Sequence, residues 1–154
     1  MAADTLQQQR VHGTVVVPFP ASGQGILLLG PSGAGKSDLA LRMVEAGGGL
    51  VADDQVMLTC EGNTLVAAPV DQLAGMLEVR GIGIVALPTL PACRITIACS
   101  LVDSAQVERM PEPAHAEYCG IRIPLWRLAA FEASTVAKLR LALKLSSGDI
   151  SLAT

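Results

Sequence analysis

Apolar residues along this chain fall into short, crowded runs punctuated by glycine and proline, and the period of the runs changes once early on. Gly13 to Phe19, GTVVVPF, is β-branched and predicts a strand that Pro18 and Pro20 bring to a stop, followed by the polar turn PASGQG. Gly25 to Gly30, GILLLG, is continuously apolar, the pattern of a strand covered on both faces. From Lys36 to Ala46 the period lengthens: Leu39, Ala40, Met43 and Val44 share one helical face, and Gly47, Gly48 and Gly49 end it. LVADD, Leu50 to Asp54, predicts the next strand, and Val56 to Ala68 a hairpin turning at Glu61-Gly62-Asn63. Leu77 to Leu87 and Arg94 to Val102 are further strand candidates, separated by a turn with Pro88 and Pro91, while residues 103–118 read as a surface loop. Gly120 to Trp126 suits a last strand, and Ser134 to Leu145 a helix capped by Ser134 with Val136, Leu139 and Leu143 inward. The hairpin after Asp54 interrupts simple parallel winding, so the expected architecture is α/β, a three-layer P-loop kinase-like domain with a mixed β-sheet.

Composition narrows the picture. A chain of 154 residues, 51% hydrophobic and 16% charged, suits one domain spanning 1–154. A net charge of −3 offers no basic surface for nucleic acid or acidic lipid. The N-terminal MAADTLQQQR lacks the basic and apolar regions of a leader, and no run approaches the ~18 apolar residues of a membrane span. A cytoplasmic setting is the expectation. Cys60, Cys93, Cys99 and Cys119 form no C-x-x-C pair, which argues against a zinc or thiol-redox motif and for buried free thiols. With 3% aromatic residues, Leu, Val, Ile and Ala must fill the core, and Trp126 suits a packing or partner-facing role.

The chemistry starts at Gly30-Pro31-Ser32-Gly33-Ala34-Gly35-Lys36-Ser37, which meets every fixed position of G-x-x-x-x-G-K-[ST] between an apolar strand and a helix. Such a loop turns its backbone N–H groups inward around phosphate oxygens, which needs angles that side chains forbid. Lys36 is then placed for the β- and γ-phosphates and Ser37 for Mg²⁺. Asp53 and Asp54 follow Lys36 by 17 and 18 residues, at the carboxyl end of the next strand, where ligands of open sheets bind. One carboxylate can accept the proton of an incoming hydroxyl while the other stays with the metal or its waters. A plain Asp-Asp turn is the alternative. In LEVRGIGIVAL, Glu78 and Arg80 share one strand face and can supply a metal carboxylate and a phosphate-binding cation, or simply a solvent-facing ion pair.

GPSGAGKSDLAL, GGGLVADDQV and LEVRGIGIV, in that order, resemble the catalytic, C-terminal domain of HPr kinase/phosphorylase, over about residues 10 to 102. The resemblance implies ATP-dependent phosphorylation of a serine of HPr, the phosphocarrier of the sugar phosphotransferase system, and reversal by phosphorolysis. It implies that Lys36 holds the phosphates, that Ser37 and Glu78 ligate Mg²⁺ with Asp54 a further candidate ligand, and that Asp53 or Asp54 takes the serine proton. RVHG matches the family's histidine-glycine and makes His12 a candidate active-site residue; Arg80, and Arg127 or else Arg122, are candidate cations. The chain looks like the short, single-domain form found in some proteobacteria, without an N-terminal regulatory domain, and the family implies a homo-oligomer. A nucleotide-sensing module that does not transfer phosphate, and a small-molecule P-loop kinase, are the alternative readings.

Overall fold

The structure is a computed structural model and describes residues 7–70 and 75–153. The absence of a leader read from MAADTLQQQR therefore rests largely on positions outside the described residues. The elements in chain order are β1 (Gln8–His12), β2 (Thr14–Val17), β3 (Gln24–Leu29), α1 (Lys36–Glu45), β4 (Gly49–Ala52), β5 (Gln55–Glu61), β6 (Thr64–Pro69), β7 (Met76–Val79), β8 (Gly83–Ala86), β9 (Cys93–Leu101), β10 (Ala114–Tyr118), β11 (Ile121–Leu128) and α2 (Thr135–Ser147).

The apolar runs make the centre of the sheet. Strand β3 lies between β9, to which it is parallel, and β2, to which it is antiparallel; β2 pairs antiparallel with β4 in turn. Successive β3 residues alternate between two cores: Ile26 and Leu28 pack with Leu39 and Met43 of α1 and Leu139 of α2, whereas Leu27 packs with Val56 and Leu58 of β5 and Leu65 of β6. The sheet is thus covered by helices on one face and by its own outlying strands on the other, giving the three layers. Strand β9 has two partners along one edge: β6 pairs with Cys93 and Arg94, and β11 runs parallel to Ala98–Leu101. Strands β3, β4, β9 and β11 therefore all point their carboxyl ends to the same side.

Three segments differ from the sequence expectation. Leu77 to Leu87 is a hairpin of β7 and β8 outside the main sheet, because Gly81 and Gly83, at φ 91° and 134°, turn the chain where a single strand would need extended angles. Residues 114–118 form β10, paired with β11; Ala114, Ala116 and Tyr118 alternate with exposed His115 and Glu117, too polar a pattern to stand out in the sequence. Ser134 occupies the N-cap of α2 with a helical backbone and no capping bond, and the hydroxyl of its neighbour Thr135 donates to the Ala129 carbonyl at 2.5 Å instead. Helix α2 is fastened to the β2–β3 connection by Arg140 and Lys144, both about 5.5 Å from the centre of the Phe19 ring.

Of the four free thiols only Cys93 and Cys99 are buried; Cys60 and Cys119 are partly exposed. Burial pushes the Cys93 and Cys99 thiols up to about 12 from 9.0. The folded chain therefore keeps protons that an unfolded chain releases above pH 9, so the associated stability is whole below pH 9 and declines between 9 and about 12. Urea midpoints measured at about pH 8 and about pH 10 are expected to fall with pH, and to fall less in Cys99→Ala.

Candidate active site

The loop Gly30–Ser37 joins β3 to α1 and takes its shape from its glycines. Gly33 and Gly35 have φ 85° and 103°, and a Cβ on Gly35 would meet the Ala130 Cβ at 2.7 Å and the Phe131 Cζ at 2.8 Å. Helix α1 starts at Lys36, so its unpaired N–H groups and dipole face the loop. The Lys36 side chain is nearly buried, 8% exposed, and its ammonium donates to the carbonyls of Gly30 at 2.5 Å and Pro31 at 3.1 Å.

A second device brings the carboxylates to that loop. The chain bends at Asp53-Asp54 between β4 and β5, and again at Gly13 between β1 and β2; β2 pairs with β4 and β1 with β5, so the two corners lie together. The Gly13 N–H donates to the Asp54 carbonyl at 3.0 Å, and a Cβ on Gly13 would meet the Leu28 carbonyl at 2.9 Å. This register sets His12 opposite Gln55 and beside Asp54.

The two aspartates then separate. Asp53 accepts from the Ser37 hydroxyl at 3.1 Å to each carboxylate oxygen and from the Thr14 hydroxyl at 2.8 Å. Asp54, held at φ 71°, turns outward, and its Oδ1 lies 2.8 Å from His12 Nε2 in a pair that is 63% and 46% exposed. Asp53 is thus the carboxylate bonded to Ser37, and the left-handed turn at Asp54 sends its side chain the other way.

Both corners open on a cleft of about 630 Å³. Lys36, Ser37, Asp53, Asp54, His12, Glu78 and Arg80 all line it, along with Ser32, Gly33 and Gly35 of the loop. Gly30, Pro31 and Ala34 shape the loop from outside its lining. Glu78 and Arg80 arrive on the β7–β8 hairpin, which lines the cleft together with the loop. Arg122 and Arg127 do not line it: Arg122 lies near the start of β11 with its guanidinium 3.1 Å from His115 Nδ1, and Arg127 pairs along β9 with Ser100. Thr14 and Phe131 escaped the sequence reading; a lone hydroxyl opening the apolar run TVVV was the only hint of the first.

The donors suit a magnesium-nucleotide complex. Ser37, Asp53 and Glu78 are hard oxygen donors on one cleft, and among the described residues no group of three His, Cys, Asp or Glu side chains is poised to cage a metal. One or two carboxylates with the remaining positions left to phosphate and water is the Mg²⁺ pattern. Among the described residues no helix is long and apolar enough to cross a membrane.

A family model described as HPr Serine kinase C-terminal domain matches residues 4–139. HPr kinase/phosphorylase of Chlorobium limicola is 32% identical over 142 residues, 84% of this chain and 42% of that protein. The protein of the same name from Mycoplasmopsis pulmonis is 36% identical over 104 residues, 63% of this chain and 33% of its own length. The chain thus spans between a third and somewhat under half of the length of these relatives. The solved structure of the Hpr(Ser) kinase/phosphatase from Coxiella burnetii is similar in fold, with a TM-score of 0.76 over 92% of this chain and 94% of that one, at 23% identity.

Proposed function

This chain belongs to the HPr serine kinase C-terminal domain family, and from that premise we propose that it transfers the γ-phosphoryl group of ATP to a seryl hydroxyl of HPr. The observation that carries the reading is the division of labour between the aspartates: Asp53 is engaged by Ser37 and Thr14, while Asp54 stands in the cleft beside His12. The reading sets the chain in the cytoplasm, where HPr and ATP meet, as a homo-oligomer.

The loop N–H groups and Lys36 bind the β- and γ-phosphates, and Lys36 exchanges its loop carbonyls for phosphate oxygens as it does so. Ser37, Asp53 and Glu78 would hold Mg²⁺, which when bound neutralises charge on the β- and γ-phosphate oxygens. Asp54 takes the proton of the seryl hydroxyl as its oxygen bonds to the γ-phosphorus and the bond to the bridging oxygen of ADP breaks. His12 holds the Asp54 carboxylate in place, and Arg80 offers its charge to the phosphoryl group in flight. In reverse, a phosphate oxygen attacks the phosphoserine phosphorus, Asp54 returns its proton to the departing seryl oxygen, and pyrophosphate forms.

The test is a comparison of acceptors: label from γ-labelled ATP, counted in HPr, in a seryl peptide and in small alcohols. Transfer to HPr is expected to exceed the others by at least about a hundredfold in kcat/KM. A small alcohol that outruns HPr would overturn the protein-kinase reading.

A further inference from the structure

A second cleft, of about 750 Å³, borders the phosphate loop at residues 31–34 and is lined by none of His12, Asp53 and Asp54. It is framed by the segments that leave the carboxyl ends of β9 and β11, residues 102–106 and 129–132, and it shares Ser32, Gly33 and Phe131 with the catalytic cleft. Resting on the reading that a nucleoside triphosphate occupies the loop, we infer that this second cleft seats the nucleobase, with the Phe131 ring as its stacking surface.

In-line transfer puts the acceptor on the far side of the γ-phosphorus from the bridging oxygen. On that reading the acceptor meets Asp54 and its partner His12, so the nucleoside leaves away from them, and the second cleft borders the loop without being lined by either. This is also where open sheets of parallel strands bind ligands, beyond the carboxyl ends of the strands next to the phosphate loop.

Lining chemistry agrees. Among the described residues no lysine or arginine lines the cleft; Pro31, Ala34 and Val102 give it apolar wall and Asp103, Gln106 and Glu132 a few polar atoms, suited to a flat heterocycle and ill suited to phosphate. Gln106 accepts the Asp103 N–H through Oε1 at 3.1 Å, which leaves two N–H donors on the same amide for a base edge.

Phe131 is the most telling part. It is one of two phenylalanines in the chain; Phe19 is covered by Arg140 and Lys144, whereas Phe131 is 70% exposed on the lip between the clefts. The ring is nevertheless fixed. Its tip rests over Gly35, and the carbonyls on either side of it, of Ala130 and Glu132, both accept from the Arg42 guanidinium of α1. An exposed ring on an anchored backbone is a preorganised stacking platform.

Calorimetric titration of the chain with Mg-ATP and with Mg-tripolyphosphate tests this, since tripolyphosphate lacks the base. Phe131→Ala is expected to weaken ATP about tenfold, a typical loss of one base-stacking ring, and to leave tripolyphosphate within about twofold. Phe131→Tyr, which keeps the ring, is expected to restore ATP binding. Unchanged ATP affinity in Phe131→Ala, or equal weakening of both ligands, would overturn the inference while leaving the nucleotide reading intact. A wild-type chain that binds neither ligand would overturn the nucleotide reading itself, and the inference with it.

Discussion

Lys36→Ala is expected to lower phosphoryl transfer by at least about 10³-fold, the scale for losing a positioned charge at a developing phosphoryl transition state. Lys36 is the one lysine or arginine set within the loop, and it opens α1. It is 8% exposed and already desolvated, so its charge acts through a low-dielectric path. The substitution also removes its two bonds to loop carbonyls at Gly30 and Pro31, so the loop loses a brace as well as a charge. Calorimetry should therefore show weakened ATP binding alongside the rate loss. Circular dichroism should show an intact fold, because the apolar cores on both faces of β3 do not involve this side chain.

Asp54→Asn is expected to lower transfer by about 10²- to 10⁴-fold, the range for losing a positioned general base, with ATP affinity within about twofold of wild type. The replacement is nearly isosteric, and asparagine tolerates the φ of 71° found here better than most residues. It keeps an oxygen for His12 but cannot accept the seryl proton. Asp53→Asn should behave differently. Its carboxylate meets Ser37 and Thr14, so its loss should appear as a raised magnesium requirement. A magnesium titration of initial rates on the two variants separates these effects. Equal magnesium dependence in both would contradict the division of roles.

The parts of this site legible in the sequence are those set by local spacing. The loop, the helix behind it and the strand leading into Asp53-Asp54 are each contiguous, and their glycines, apolar period and breakers act over a few residues. What stayed hidden depends on distant pairing. Nothing near Arg10 or Val11 announces that β1 will lie along β5, yet that register brings His12 beside Asp54. Thr14 read as one more β-former until the β2–β4 pairing set it against Asp53. The β7–β8 segment kept a strand's alternation, and only its leaving the main sheet made Glu78 and Arg80 a wall of the cleft. Phe131 sits in no motif and gains its place from Arg42, about ninety residues earlier in the chain.

The most direct measurement is the intact mass of HPr after incubation with the wild-type chain and Mg-ATP. The predicted result is a gain of one phosphoryl group, mapped to a serine, that disappears when Lys36→Ala or Asp54→Asn replaces the wild type. An unchanged HPr mass beside a wild-type chain that binds ATP tightly would contradict the account and leave a nucleotide-sensing module in its place.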